Sequence, residues 1–208
     1  MSDNKKELSN IVFSRDAADY DQSSKYASLR ASYSTIVAEA LSEPTQSVLD
    51  IGCGTGALLS LIQEQNKTAQ VFGIDLSGEM IKIAKAKLGK DVDLRVSDSE
   101  KLPFKNESFD VVTCTFSFHH YPNALIVLSE MRRVLKKSGK LIVADPLAPA
   151  PLRQLLNLFI PWRKDGTVRY YSKREMCNLI ESAGLEIFKW SKLNWHSYML
   201  VGRHHQVI

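Results

Sequence analysis

Three glycines lie directly after a short apolar segment of the chain. Residues Ser47–Ile51 form a β-rich run, and Gly52, Gly54 and Gly56 follow it at alternate positions. A helical pattern of apolar residues then begins at Ala57. Because glycine has no Cβ, the backbone here can adopt positive φ or approach a ligand closely. The sequence therefore predicts a strand–turn–helix unit whose helix N-terminus favours a bound anionic group.

Strands and helices are predicted to alternate along the residues that follow. The apolar patterns indicate strands at Gln70–Asp75, 92–96, 109–116 and 140–145. With helices between these strands, the order is typical of a doubly wound, Rossmann-like α/β sheet that is mostly parallel. Residues 185–191 and 197–202 indicate two more strands, which a short loop would join as a C-terminal antiparallel hairpin.

The segments outside this core have weaker patterns. Residues 1–24 are polar and indicate a loose arm or a short helix, whereas residues 25–41 repeat apolar side chains at helical spacing. Residues 146–165 contain four of the seven prolines and match no motif. We therefore expect an N-terminal helical cap before the sheet and an apolar insertion after its fifth strand.

The composition argues against several classes of protein. Lys and Arg number 27 and Asp and Glu 23, so the net charge of +4 is too small to indicate nucleic-acid binding. No segment approaches the roughly 18 apolar residues that a membrane-spanning helix needs, and the start of the chain lacks the apolar part of a signal peptide. Cys53, Cys114 and Cys177 lie far apart, which predicts reduced thiols, no metal site and a cytoplasmic protein.

Acidic residues accompany the first three predicted strands. Asp75 ends the second strand, 23 residues after Gly52, where a carboxylate can accept both hydroxyls of a ribose. Asp50 precedes the glycines, where it would repel a pyrophosphate but suit a ligand that carries an ammonium and a sulfonium. Asp98 follows the third strand and could accept a hydrogen bond from an adenine amino group. Each acid alone also fits a capping or solvated residue, but together they predict a site for a cationic nucleoside.

These segments resemble those of class I S-adenosylmethionine-dependent methyltransferases. The matching residues are 48–56, 73–75, 97–104, 109–112 and 133–140. The resemblance is strongest to the small-molecule branch that includes ubiquinone and menaquinone C-methyltransferases, and it covers residues 45–145 well. It implies S-adenosyl-L-methionine as cofactor and S-adenosyl-L-homocysteine as product.

The resemblance also implies a role for individual residues. The glycines would wrap the methionine part of the cofactor, with Asp50 near its amino group, and Asp75 would bind the ribose. Leu76 and Met80 would flank the adenine, Asp98 and the backbone of Ser99 would read its edge, and the Phe116 carbonyl would lie near the methionine amine. An aromatic residue of the N-terminal arm, Tyr20, would close over the cofactor. The predicted cofactor-binding set is Tyr20, Asp50, Gly52, Cys53, Gly54, Gly56, Asp75, Leu76, Met80, Asp98, Ser99 and Phe116.

The acceptor side is less clearly defined. His119 and His120 follow the fourth strand, and a histidine, with an unperturbed pKa of about 6.5, suits a general base. His119 is the first candidate, and the alternative is a pair that only shapes the loop through backbone hydrogen bonds. Residues 146–162 fit either a cap over an apolar or aromatic small-molecule acceptor, in contact with a membrane, or a loop packed by its leucines. Basic residues at 163, 164 and 169 also suit an acceptor that carries a carboxylate.

We predict one domain in four parts. They are N-terminal cap helices (1–44), a cofactor-binding core (45–145), an acceptor-side insertion (146–171) and a closing helix with the hairpin (172–208). A nicotinamide-dependent oxidoreductase is an alternative, because residues 52–57 also satisfy the dinucleotide pattern, but Asp50 and the absence of a Ser/Tyr-x-x-x-Lys constellation after the fourth strand disfavour it. A non-catalytic adenosyl-binding protein remains open. The oligomeric state is not predicted.

Overall fold

The computed structural model describes residues 2–205, with side chains from residue 4, and contains a seven-stranded sheet. The strands are β1 (Ser47–Ile51), β2 (Gln70–Asp75), β3 (Asp93–Val96), β4 (Phe109–Thr115), β5 (Leu135–Pro146), β6 (Leu185–Asn194) and β7 (Ser197–His204). Their order is β3-β2-β1-β4-β5-β7-β6, and β7 runs antiparallel to both of its neighbours. The predicted doubly wound sheet with an antiparallel hairpin is confirmed. Since the chain order reverses between β1 and β4, a crevice is expected at the carboxyl ends of these strands.

Helices cover both faces of the sheet. They are α1 (Ser2–Asp16), α2 (Ala27–Arg30), α3 (Tyr33–Ala40), α4 (Ala57–Gln65), α5 (Gly78–Leu88), α6 (Ala124–Val134), α7 (Leu152–Phe159) and α8 (Lys173–Ser182). Buried side chains of α3, α4 and α5 pack with β1 and β2 in one apolar cluster, and those of α6 and α8 pack with β4 and β5 in the other. Burial on two faces explains why the central strands are continuous apolar runs.

The starts of three helices follow local chemistry. Gly56 adopts a left-handed conformation (φ 74°) immediately before α4. Ser77 caps α5, because its hydroxyl accepts a hydrogen bond from the Met80 amide. Ser172 and Glu175 form a reciprocal capping box at the start of α8. These local signals determine where α4, α5 and α8 begin.

The N-terminal segment differs from its prediction. In place of a loose arm or short helix, α1 is a regular helix of 15 residues. Tertiary contacts hold it: the Lys6 ammonium lies 2.7 Å from both Asp98 and Glu100. The single helix predicted for residues 25–41 is divided into a 3-10 turn, α2 and α3. The Arg30 guanidinium binds the carbonyls of Tyr20 and Ser23 in the preceding loop, which accounts for the break.

The bounds of the segments around β5 also differ from their prediction. Helix α6 ends at Val134 and β5 begins at once, five residues before its predicted start. The pairing of β4 with β5 is interrupted between Phe109 and Val111, so residues 136–139 bulge out of the ladder. The insertion after β5 is not irregular throughout, because it contains α7 and a following 3-10 turn, Ile160–Trp162.

Candidate functional site

A cavity lies at the carboxyl ends of the central strands, where the strand order reverses. It encloses about 910 Å³ of empty space, part of it open to solvent. Strands β1, β2 and β4 supply its floor through the residues that follow them, and α1 covers it from the opposite side. Eleven of the twelve predicted cofactor-binding residues and one of the two predicted catalytic histidines line this cavity.

The glycine turn after β1 is held against β2 by backbone hydrogen bonds. The amides of Gly52 and Cys53 both donate to the Ile74 carbonyl at 2.9 Å. Gly54 has a φ of 52°, and a Cβ built on it would meet nothing nearer than the Met80 sulfur at 3.9 Å. A side chain there would therefore project into the cavity, so the glycine keeps that space free for a ligand.

Gly56 does not line the cavity, although the sequence places it in the cofactor-binding set. A Cβ on this residue would lie 2.8 Å from Leu88 Cδ1 and 3.2 Å from Ala84 Cβ. Its small size lets α4 pack closely on α5, and its positive φ starts α4. The packing of α4 on α5 therefore requires a glycine at position 56, and the spacing of the glycines in the sequence does not reveal this requirement.

Asp75 is fixed by backbone donors at the end of β2. One carboxylate oxygen accepts from the Gly54 amide at 2.9 Å, and the other accepts from the Ser77 amide at 2.8 Å. Burial raises the pKa of Asp75, and these backbone hydrogen bonds oppose the rise. Each carboxylate oxygen has two lone pairs, so both can still accept one more hydrogen bond. The vicinal hydroxyls of a ribose match that remaining capacity.

Asp50 is almost completely buried near the end of β1. The hydroxyl of Thr113 donates to it at 2.6 Å. Burial raises the pKa of Asp50 to about 7; the Thr113 hydrogen bond lowers it, and the negative charge of Asp75 adds to the rise. Within residues 2–205, neither Asp50 nor Asp75 forms a salt bridge with a Lys, Arg or His. Two buried carboxylates without a cation favour a positively charged ligand, and the ammonium and sulfonium of the predicted cofactor fit this requirement.

Asp98 lies at the rim of the cavity, beneath α1. One of its oxygens accepts from Lys6 Nζ at 2.7 Å, and the other accepts from the Glu100 amide at 2.9 Å. The hydroxyls of Ser14 and Ser77 lie 2.8 Å apart on the same side. These contacts anchor α1 to the loops after β2 and β3, so α1 forms a cover over the predicted adenine position.

Aromatic side chains form the wall that faces the glycine turn. Tyr20 stacks on Tyr26, with ring centroids 4.1 Å apart, and lies edge-on to Phe13 at 6.3 Å. The neighbouring Asp21 accepts a hydrogen bond from Thr55 at 2.6 Å. This bond ties the segment that carries Tyr20 to the glycine turn.

The chain is strained where β4 ends in the cavity. Phe116 has a φ of 55°, which is uncommon for a residue other than glycine, and its amide donates to the Ala144 carbonyl at 2.7 Å. The next residue, Ser117, donates to the Ile51 carbonyl at 3.1 Å and accepts from the Tyr121 hydroxyl at 3.0 Å. This network joins the ends of β1 and β4 and fixes the floor of the cavity.

The two candidate histidines have different environments. His120 lines the cavity, and its ring lies edge-on to Phe13 at 5.1 Å. No group among the described residues hydrogen-bonds its buried Nδ1. Burial, with the charge of His119, lowers the pKa of His120 well below its usual value. His119 lies behind the wall, and its Nδ1 is 2.8 Å from the buried carboxylate of Asp145. Of these two histidines, His120 lines the cavity and His119 does not.

Sequence reasoning missed the residues that α1 and the β4 loop contribute. Lys6, Ser9 and Phe13 line the cavity from α1, and Ser117 and Tyr121 line it from the β4 loop. Phe13 follows Ile11 and Val12 in a segment without clear helical periodicity, so no pattern marks it as part of a site. Tyr121 could have indicated that the loop after β4 belongs to the site, because a buried tyrosine hydroxyl usually has a hydrogen-bond partner.

The comparisons with known proteins agree with this arrangement. A family model described as a methyltransferase domain matches residues 49–143. A demethylmenaquinone methyltransferase of Thermotoga maritima is 38% identical over 104 residues, which are 50% of this chain and 45% of that protein. A demethylmenaquinone methyltransferase of Bacillus cereus is 30% identical over 172 residues, which are 69% of this chain and 71% of that protein.

A solved structure shows the same fold. It is the Burkholderia thailandensis 1,6-didemethyltoxoflavin-N1-methyltransferase, with bound 1,6-didemethyltoxoflavin and S-adenosylhomocysteine. The TM-score is 0.77 at 18% identity, over 99% of this chain and 91% of that one. The matched family, the relatives and the glycine turn with its buried acids together assign the chain: it belongs to the class I S-adenosylmethionine-dependent methyltransferases and resembles the menaquinone methyltransferases.

Proposed function

We propose that this methyltransferase acts on a small aromatic acceptor of the quinol type. The observation that carries the proposal is the composition of one cavity, which has buried acids on one side and aromatic rings with a neutral histidine on the other. The names of the Thermotoga and Bacillus relatives point to the same acceptor class, a demethylated quinone.

The predicted cofactor-binding residues take defined roles in this proposal. Asp50 holds the ammonium end of the cofactor, Asp75 accepts the ribose hydroxyls, and Gly54 leaves room for the ligand beside Met80. When bound, S-adenosylmethionine supplies an electrophilic methyl group on a sulfonium. The protein contributes by positioning the acceptor in line and excluding water, effects worth about 7–11 kcal/mol in favourable cases. Helix α1 and Tyr20 close the cavity for this purpose.

His120 is the proposed general base. A quinol must lose a proton when its ring carbon or oxygen is methylated. His120 is buried, so it stays neutral, and its Nδ1 has no partner among the described groups. Because that nitrogen is buried in the protein without ligand, the ring must turn before it can accept a hydrogen bond from an acceptor hydroxyl and take up its proton as the new bond forms.

His119 is proposed to position His120 rather than to touch the acceptor. Its side chain is paired with Asp145, and its carbonyl accepts from the Val168 amide at 2.8 Å. Its ring lies 4.1 Å from that of His120, measured between centroids. The hydrogen bond from Val168 joins the insertion to the loop after β4. This contact supports an acceptor-side role for the insertion (146–171) beside the cofactor-binding core (45–145).

The three cysteines are free thiols, which fits a cytoplasmic setting.

Calorimetry and a methyl-transfer screen test the proposal. Titration with S-adenosylmethionine, S-adenosylhomocysteine and NAD should give binding of the two adenosyl ligands alone. Radiolabelled methyl transfer should then be measured against matched quinols, phenols, amines and carboxylates. We expect a quinol or phenol to be methylated, and transfer only to an amine or carboxylate would refute the acceptor class. Adenosyl binding without transfer to any panel member would instead favour a non-catalytic adenosyl-binding protein.

The role of His120 needs a separate variant. His120→Gln removes the ring but keeps a polar side chain, so kcat should fall by about 100-fold or more, with little change in cofactor affinity. His119→Gln should have a smaller effect that is the same at every pH. If His120→Gln keeps the kcat of the wild type, the general-base role is wrong.

A further inference from the structure

Helix α7 exposes its apolar face to solvent. Leu152, Leu155 and Phe159 are spaced to share one face of the helix, and Trp162 continues that face in the 3-10 turn that follows. Leu158 and Trp162 are 63% and 71% exposed, and the other three are about half exposed. A surface helix of a globular protein normally presents its polar face to water. Here the orientation is the reverse.

Specific hydrogen bonds hold α7 in this orientation. The amide group of Asn157 donates to the Tyr170 carbonyl at 3.0 Å and accepts from the Tyr170 amide at 2.9 Å. Arg153, also on the inward side, keeps only 18% of its side chain exposed and lies 3.9 Å from Glu175. Because the polar residues of α7 bind the body of the protein, the apolar face is built to point outward.

The charge of the surrounding segment is strongly positive. Residues 146–175 contain six of the 27 basic residues but only two of the 23 acidic ones, which leaves 21 of each sign in the rest of the chain. The net charge of the whole protein is therefore concentrated here. Both acids are already neutralised within the segment, Asp165 by Arg163 and Glu175 by Arg169. Lys164 and Lys173 are left without an acidic partner among the described residues.

The inner side of the same segment packs on α1, and Ser9 of α1 lines the cavity. Lys5 of α1 donates to the carbonyls of Ile160 and Arg163 at 3.0 and 3.2 Å. Gly166 packs so closely on Ser9 that a Cβ would lie within 2.5 Å of it. Helix α1 therefore lies between the cavity and the segment that carries the outward apolar face.

Another exposed aromatic residue lies next to the start of the insertion. Trp195, in the turn between β6 and β7, is 84% exposed. The turn is joined to the start of the insertion, because the Leu147 amide donates to the His196 carbonyl at 2.7 Å. Tryptophan is enriched where a protein meets the boundary between lipid and water.

From these observations we infer that the outward face of α7, with Trp162, docks onto an anionic lipid bilayer. Leucine and aromatic side chains on one face, with basic residues at its border, are the pattern of a helix that lies in the bilayer interface. An anionic leaflet complements the excess positive charge of residues 146–175. A neutral protein partner or a second copy of the chain, whose own corresponding surface is basic, lacks this complementarity. The inference concerns the surface alone and does not depend on which acceptor is methylated.

Vesicle flotation with the purified full-length protein tests the inference. Vesicles of phosphatidylcholine mixed with phosphatidylglycerol should carry the protein upward at low salt. Vesicles of phosphatidylcholine alone should bind the protein more weakly, by about tenfold or more. High salt should release part of the bound protein, because the electrostatic attraction is screened. This comparison needs no variant, so it cannot be confounded by misfolding.

The variant Leu155→Gln with Trp162→Gln removes the apolar contact. Its partitioning to anionic vesicles should fall by about tenfold or more, while its thermal midpoint and its affinity for S-adenosylmethionine stay unchanged. Phe188→Gln is the matched control, since Phe188 is 61% exposed on β6, and it should bind vesicles as the wild type does.

Three results would overturn the inference. The first is a failure of the wild type to bind anionic vesicles. The second is binding that the double variant retains in full. The third is a wild-type dimer in sedimentation that the double variant converts to a monomer, because the face would then be an interface between two copies of the chain.

Discussion

Cofactor binding should expel a proton from Asp50, and the affinity should fall as the solution becomes more acidic. Burial raises the pKa of Asp50 to about 7, so this carboxyl is half protonated at neutral pH when no ligand is bound. A ligand ammonium placed beside it requires the carboxylate. The apparent Kd should therefore double at about pH 7 and rise roughly tenfold for each further unit of acidification. The ligand amine, with a pKa of about 7.7–8.0, stays charged in this range and does not cause the effect.

The isosteric variant Asp50→Asn isolates this contribution. Thr113 can still donate its hydroxyl hydrogen bond to the amide oxygen of the new side chain, so the local geometry is kept. Loss of a hydrogen bond between charged groups costs about 1.5–3 kcal/mol, which is about 10- to 150-fold in Kd at pH 8. Burial also raises the pKa of Asp75, so some pH dependence should remain in the variant, but with a slope lower by about one proton.

Isothermal titration calorimetry in buffers of different ionisation enthalpy measures the expelled proton directly. We expect release of about half a proton by the wild type at pH 7 and a smaller amount by Asp50→Asn. The stability of the protein without ligand depends on pH in the opposite direction. Since the folded pKa of Asp50 lies above its unfolded value, its contribution is present below about pH 4 and is lost as the pH rises through 7, so Asp50→Asn should be the more stable apo-protein at pH 8. Equal proton release by both proteins would refute the reasoning.

The structure supports three further predictions. Gly54→Ala should weaken cofactor binding by about tenfold or more, because the added Cβ enters the cavity. Gly56→Ala should mainly lower the free energy of unfolding, by about 1–3 kcal/mol, because the added Cβ overlaps Leu88. Equal cofactor affinities of the two variants in calorimetry would contradict this prediction. Lys6→Met should speed amide hydrogen exchange in α1 and raise the dissociation rate of the cofactor, because it removes the ion pair with Asp98; unchanged exchange in α1 would refute the anchoring role. Asn157→Ala should raise exchange in residues 152–162 while the remaining amides keep their protection, since it removes both hydrogen bonds to the Tyr170 backbone; protection equal to the wild type would contradict it.

Most of the residues proposed to bind the cofactor could be brought together from the sequence, because they lie at the ends of strands or directly after them. Asp50, Gly52 and Asp75 each owe their position to a short apolar run and the turn after it. In a parallel sheet such turns meet at one edge, so local patterns are enough to bring the residues together. Even there, Gly56 shows the limit, because spacing does not distinguish a glycine that faces a ligand from one that faces a neighbouring helix.

The residues that α1 and the loop after β4 contribute to the cavity could not be predicted, because they come from distant segments. Phe13 and Lys6 reach the cavity only because α1 packs across the loops after β2 and β3. The difference between His119 and His120 depends on Asp145, which lies on another strand. No periodicity in the sequence encodes these contacts. The sequence therefore identifies two adjacent histidines, and only the tertiary structure separates the one at the cavity wall from the one behind it.

Helix α7 shows how tertiary contacts change the meaning of a sequence pattern. Its leucines predict burial, and packing against the domain was one of the two readings of this segment. In the structure a single side chain, Asn157, is hydrogen-bonded to the backbone of the segment 13 residues later, and that contact turns the leucines outward. Two hydrogen bonds contribute only about 1–3 kcal/mol, less than burial of several leucines would provide. With the leucines facing outward, the isolated protein therefore forgoes the larger free energy that their burial would provide. Docking of this face onto a bilayer would bury the leucines and recover that free energy.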